Sequence, residues 1–324
     1  RAPRGALGSR PSARRRRRVA RAATAVRHRR AVPDFSIIIP TFERSDHVGG
    51  CVEALARLDY DRSRWEAIFV DDGSRAPAVA PVERAAAQGV PVRMLRAAHG
   101  GPAAARNAGA AAARGRFLAF TDDDCRPDSG WLTAFAERFA AAGDCAVGGK
   151  SVNAVAGNVC SEASQVLLDY LYERFNAVPG RAQLLISNNF ALPATMFRAI
   201  GGFDTGFPEA AAEDRDLCAR LDEAGYALFY EPRAVVHHHH ALSLRRFCRQ
   251  HFNYGGGAWR FHQTRAARAQ QEMKVEPLEF YWNLLRYPTR SGRKPAVALT
   301  ALLLLSQVAN ATGFFVEKAR ASRA

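Results

Sequence analysis

From Asp34 onward, short apolar runs alternate with longer stretches whose apolar residues recur at helical spacing. SIIIP (36–40) precedes a helical pattern over Val48–Leu58, AIFV (67–70) one over Val79–Ala87, VPVRML (90–95) one over Pro102–Arg114, and RFLAF (116–120) one over Trp131–Ala142. This alternation predicts parallel strands joined by right-handed crossovers in an α/β layered domain. Past residue 145 the alternation weakens. Helical patterns cover Glu162–Phe175, Asp214–Ala224 and Leu242–Tyr254, with short strands expected at Leu184–Ser187 and Ala227–Tyr230. In sheets of this kind ligands bind at the carboxyl ends of the strands. Three polar clusters fall at such ends: Pro40–Arg44, Asp71–Ser74 and Asp122–Asp124.

Charge is distributed unevenly. The formal net charge is +15, but residues 1–33 hold twelve Arg and no acidic residue, leaving 34 basic against 31 acidic residues beyond. The body is therefore nearly neutral. Residues 1–33 read as a disordered basic arm, too poor in apolar residues to fold alone. Compositional bias, anionic headgroups and nucleic acid could each account for it, and specific nucleic-acid binding is not expected. No apolar leader stands near the start, so export is not indicated, and six scattered cysteines without a CxxC pair suit a reducing compartment. A cytoplasmic protein is expected.

Ala296–Val316 carries no charge over 21 residues and is flanked by Arg293–Lys294 and Lys318–Arg320. That is about the length of a membrane span. Ser306, Gln307, Asn310 and Thr312 gather toward one side, so a helix packed on protein and one lying in the membrane interface stand equally open.

Several stretches carry chemistry. AIFVDDGS delivers Asp71 and Asp72 from a strand into a glycine turn, where a carboxylate can hold a nucleotide base or ribose; an Asx turn alone explains the pattern as well. GGPAAARNAG, Gly100–Gly109, is a glycine turn entering a helix with Arg106 one turn in. It suits a phosphate, or an ion pair with a nearby aspartate. In TDDDC, Asp122 and Asp124 stand at n and n+2 after a strand and can ligate Mg²⁺ or Mn²⁺ arriving with a diphosphate; a helix-capping acidic turn explains one of the three aspartates better than all of them. In GGFDTGFPEAAAEDRDL, Glu213, Asp214 and Asp216 open a helix, as its dipole alone would favour, and a carboxylate there can also take a proton from a hydroxyl. After the strand-like RAVV, alternation pairs His238 with His240 and His237 with His239, and one member could reach a divalent ion.

Together SIIIPTFER, VDDGS, GGPAAARNAG, the DxD within TDDDC, and GGFDTGFPEAAAEDRDL resemble the family 2 glycosyltransferases of the GT-A fold, in that order, across residues 34–260. The resemblance implies a Rossmann-like mixed sheet flanked by helices, followed by a helical C-terminal extension, 261–324. It implies an inverting transfer of one sugar from a nucleoside-diphosphate sugar, a UDP-sugar first, to a hydroxyl acceptor. The apolar C-terminal segment points to a lipid-linked or envelope acceptor at the inner face of the plasma membrane. By the same resemblance, Asp72 reads the base with Phe42 stacked on it, and Pro40, Glu43, Arg106, Asp122 and Asp123 complete the donor site. Asp124, Asp122 and His238 hold Mn²⁺ or Mg²⁺, and Asp214 is the general base. Glu43 stands where many relatives carry Asn, and QxxRW, the signature of processive synthases, is absent. RQHFNYGGGAWRF (249–261) occupies that part of the chain, and its glycines suggest a mobile segment or a plain loop. Two other classes remain open: a nucleotidyltransferase, or an inactive scaffold of this fold on a membrane. A basic nucleic-acid-binding protein would rest on the arm alone.

Overall fold

A computed structural model describes residues 32–207, 211–269 and 276–322. The basic arm, apart from its last two residues, lies outside them. The first half builds β1 (Phe35–Thr41), α1 (Ser45–Ala56), β2 (Trp65–Asp71), α2 (Val79–Ala87), β3 (Val92–Arg96), α3 (Gly101–Ala111), β4 (Phe117–Thr121), β5 (Cys125–Pro127) and α4 (Trp131–Ala142). The second half adds β6 (Ala146–Asn153), α5 (Val159–Phe175), β7 (Asn189–Pro193), α6 (Ala194–Ala199), α7 (Glu213–Glu223), β8 (Leu228–His238), α8 (Leu244–Ala269), α9 (Leu278–Arg290) and α10 (Ala296–Ala321).

All eight strands share one sheet in the order β3-β2-β1-β4-β7-β6-β8-β5. β1 and β2 are buried on both faces, which is why they read as unbroken apolar runs. The parallel expectation holds from β3 to β4 and again for β6 with β8. β7 runs antiparallel to both β4 and β6, and β5 antiparallel to β8, so the sheet is mixed. One face is covered by α1, α2 and α4 through Val48, Leu55, Val82, Trp131 and Phe135. The other is covered by α3, α6 and α7 through Ala103, Ala105, Met196, Phe197, Leu217 and Leu221. A third core joins α5, α8, α9 and α10 around Val166, Tyr170, Phe247, Phe280, Leu284, Leu299 and Leu303.

Several expectations need correction. Residues 184–187 form irregular chain, not a strand, because Leu185 turns down to pack over Gly148 and the ladder begins only at Asn189. β6 went unforeseen: in its sequence, AVGGKSVN, only the two valines are neither small nor polar. Gly149 is needed there because a Cβ would strike the Ala234 carbonyl. Glycines 255–257 are neither loop nor mobile linker but the middle of α8. A Cβ on Gly255 would collide with the Asn310 carbonyl, and one on Gly313 with the Phe252 carbonyl, so α8 and α10 cross backbone to backbone. The division at residue 260 therefore cuts a continuous helix.

Candidate active site

The carboxyl ends of β1, β2 and β4 bring the three predicted clusters together. Pro40 is the last residue but one of the first strand, and Phe42, 42% exposed, stacks on the His99 ring at 4.4 Å. Glu43 has φ 51°, a left-handed conformation that Asn accepts more readily than Glu. Its N–H donates to Ser74 Oγ (2.8 Å) and its Oε1 accepts from Arg75 N–H (2.9 Å), tying the first loop to the second.

Asp72 is committed to its own scaffold. It accepts from Gly100 N–H and Gly101 N–H, each at 2.9 Å, and lies 2.9 Å from His99 Nδ1. Asp71, beside it at the end of β2, is fully buried with neither oxygen hydrogen-bonded among the described residues. The nearest cation, Arg96 Nε, is 3.7 Å away. Sequence reasoning chose between these neighbours by family resemblance, whereas burial and partnering set them apart.

The three aspartates after β4 divide between two arginines. Asp122 accepts from Arg106 Nη2 (2.7 Å), Asp123 from Arg44 Nη1 (3.2 Å), and Asp124 from Arg44 Nη1 (2.8 Å). Antiparallel pairing of β5 with β8 sets Cys125 opposite His238 and carries the histidine run to Asp124. His238 Nε2 lies 3.2 Å and His240 Nδ1 3.4 Å from Asp124, with the two rings stacked. His237 faces away to Asp128 (2.7 Å), as alternation along a strand requires. Burial raises the Asp123 carboxyl to about 6 against the pull of Arg44. For Asp124 burial acts the same way but is outweighed by hydrogen bonds from His238 and His240, which hold it well below the usual carboxylate range.

Asp124, His238 and His240 place their ligand atoms within 4.8 Å of one another, so this trio can hold a divalent ion, and a guanidinium already presents positive charge to it. Two imidazoles beside one carboxylate suit a first-row transition ion better than Mg²⁺, which is built for oxygen ligands. Asp122 stands outside the trio, turned to Arg106.

Arg106 is fully buried and bridges Asp122 to Glu213 Oε1 (3.0 Å) across the sheet end. Glu213 opens α7 after Ala212, which sits at φ 74°. Burial and the adjacent Asp214 raise its carboxyl to about 7. Burial also raises the Asp214 carboxyl, although it accepts from Arg215 N–H (2.7 Å) and Ser187 N–H (3.3 Å). A carboxylate with a raised pKa is a stronger base. A cavity of about 1070 Å³ opens on Asp214, Glu213, Arg106, Asp122, His238 and His240, and runs back to Phe280, Gln307 and Asn310 of the C-terminal helices. Of the four polar residues singled out in 296–316, Ser306 is buried, Gln307 and Asn310 face this cavity, and Thr312 is exposed.

Sequence reasoning missed Arg44, the first cation at the acidic turn, though it closes the quoted SIIIPTFER. It also left His240 unassigned, although the alternation had paired that residue with His238.

A mixed sheet in this order, with acidic clusters at its strand ends, is that of the GT-A fold. Residues 36–201 match the family model described as Glycosyl transferase family 2, and the chain belongs to that family. Over 232 residues it is 33% identical to the pre-mycofactocin glycosyltransferase of Mycobacterium tuberculosis, covering 69% of this chain and 47% of that protein. The chain thus spans about half the length of that relative. It is 27% identical to glycosyltransferase AglE of Haloferax volcanii, over 70% of this chain and 73% of AglE. In fold it is similar to a Pyrobaculum calidifontis mannosyltransferase solved with GDP-Man and Mn²⁺ (TM-score 0.59, 18% identity, 86% of this chain and 87% of that one).

Proposed function

We propose that the chain transfers one sugar, with inversion, from a nucleoside-diphosphate sugar to a hydroxyl acceptor, using a divalent ion. The carrying observation is a single cavity that joins the Asp214 carboxylate to the Arg106–Asp122 pair and to His238 and His240 of the Asp124 trio. A bound ion, Mn²⁺ by the donor set, would neutralise charge developing on the leaving diphosphate, held by Asp124, His238 and His240. Arg106 orients Asp122 and adds fixed positive charge at the same end. Asp214, its pKa raised by burial, takes the acceptor proton from the opposite side of the cavity. Asp71, the buried acid with free oxygens, reads the base ring N–H, while Asp72 holds the Gly100–Gly101 turn in place. Phe42 remains the stacking surface. A UDP-sugar is the first donor to test; the relatives in solved complexes hold both GDP-Man and UDP-GlcNAc.

The body 34–260 acts with its C-terminal helices as one catalytic unit, since those helices wall the acceptor end. α10 lies along α8, which carries Arg245, Arg246, Arg249, Arg260, Arg265 and Arg268. A span by α10 would drag these charges into hydrocarbon. Its outward stripe of Val297, Leu304, Val308 and Phe315, all more than half exposed, instead fits an interfacial contact at the cytoplasmic membrane face.

The deciding experiment is thermal melting of the protein with UDP, GDP and dTDP, each with Mn²⁺ and with chelator. A nucleotide at 100 times its Kd should add about 2.7 kcal/mol of stability. One nucleotide family should stabilise in the presence of Mn²⁺, and Asp124→Ala should abolish the effect. Asp214→Asn should keep that shift yet lose sugar transfer by on the order of 10²-fold or more. No shift with any nucleotide would bring the inactive scaffold forward.

A further inference from the structure

Beyond Asp214, the cavity holds a cluster that the donor chemistry does not use. Arg215, the next residue of α7, and Arg265 of α8 both approach the ring of Phe261, with guanidinium carbons 4.7 Å and 6.0 Å from its centroid. All three line the cavity, and Arg215 is exposed. Among the described residues no carboxylate comes within ion-pair distance of Arg215. Among these same residues Arg265 has one carboxylate partner, Glu223 at 3.8 Å, and its buried Nε makes no hydrogen bond. Glu276 and Asp214 stand farther off and attract Arg215, but burial and the neighbouring Arg265 outweigh them and lower its pKa. Two like charges beside one ring repel each other, and an anion arriving between them removes that repulsion.

We propose that Arg215 and Arg265, backed by Phe261, form a phosphate-binding subsite for the acceptor, so that the sugar is transferred to a hydroxyl-bearing molecule that also carries a phosphate group. This deepens the proposed transferase reading and rests on it. A phosphate monoester carries up to two charges and can neutralise both guanidinium groups, whereas a carboxylate answers only one. Guanidinium forks also match phosphate oxygens geometrically. Adjacent in the chain, Asp214 and Arg215 place the base and the anion site on one helix turn, which gives the acceptor a fixed orientation. From there the wall turns apolar, through Leu167, Leu171, Phe175 and Phe280. The phosphate can therefore come from a water-soluble acceptor or from one on an apolar chain.

The test is calorimetric titration of the full chain with ethyl phosphate, hexyl phosphate and hexanoate, in chelator so that no metal can recruit phosphate. Hexyl phosphate should bind saturably, and Arg215→Gln and Arg265→Gln should each weaken it roughly tenfold. Both variants should keep the Mn²⁺-dependent nucleotide shift of the parent protein, which separates failure of this subsite from failure of the transferase reading. Hexyl binding at least tenfold tighter than ethyl assigns the phosphate to an acceptor with an apolar chain, and equal binding to a soluble one. The subsite is overturned if hexanoate binds as tightly as hexyl phosphate, if both variants keep parent affinity, or if no phosphate binds.

Discussion

Glu213 and Asp214 are adjacent, yet one is shared with a buried arginine and the other faces a cavity. Glu213 titrates near 7 in the fold because burial and its neighbour oppose its charge, against about 4.3 in an unfolded chain. Below the lower value both states hold the proton and stability is complete. As pH rises toward and through 7 the unfolded chain releases its proton first, so stability falls across that window. The melting temperature of the ligand-free protein should therefore drop between pH 5 and pH 7.5, and drop less in Glu213→Gln; parallel curves for the two proteins would refute this. At this scale the sequence was informative about which residues matter and poor at their partners. Three consecutive aspartates announce a charged site, but that they divide among Arg106, Arg44 and the two histidines depends on elements distant in the chain.

Among the elements, α8 diverges most from its sequence pattern. Three consecutive glycines normally end a helix, since each costs about 0.5–1 kcal/mol relative to alanine. Here two of them are compensated by contact. Gly255 admits α10, and Gly257 admits the Ala211 carbonyl just ahead of α7, while Gly256 meets only Glu317 Cβ at 3.9 Å. Gly255→Ala should therefore destabilise the protein by about 1–3 kcal/mol, as overpacking does. Gly256→Ala should stabilise it by up to about 1 kcal/mol. Urea denaturation of the two variants distinguishes this packing from a flexible hinge, in which both would act alike.

For the whole molecule, the sheet layer and a helical buttress share one cavity. The outward stripe of α10 gives that buttress an apolar face, so the protein should bind phosphatidylcholine vesicles containing phosphatidylglycerol. The double variant Leu304→Glu, Phe315→Glu should bind at least tenfold more weakly, since each buried side chain is worth about 1.5–3 kcal/mol. Equal sedimentation of the two proteins with vesicles would show that the stripe plays no part and that any membrane contact comes from elsewhere.

Local pattern alone determined the strand–helix alternation, the placing of acidic clusters at strand ends and the pairing of His238 with His240, because all three depend on backbone periodicity over a few residues. The tertiary structure alone decided that β5 leaves the centre of the sheet for its far edge, bringing the histidines to Asp124, and that Arg106 reaches across to Glu213. It also decided that a glycine run becomes a helix crossing. These contacts join residues many tens of positions apart, where no local spacing specifies the partner and only the packing of the complete sheet and its helices selects one.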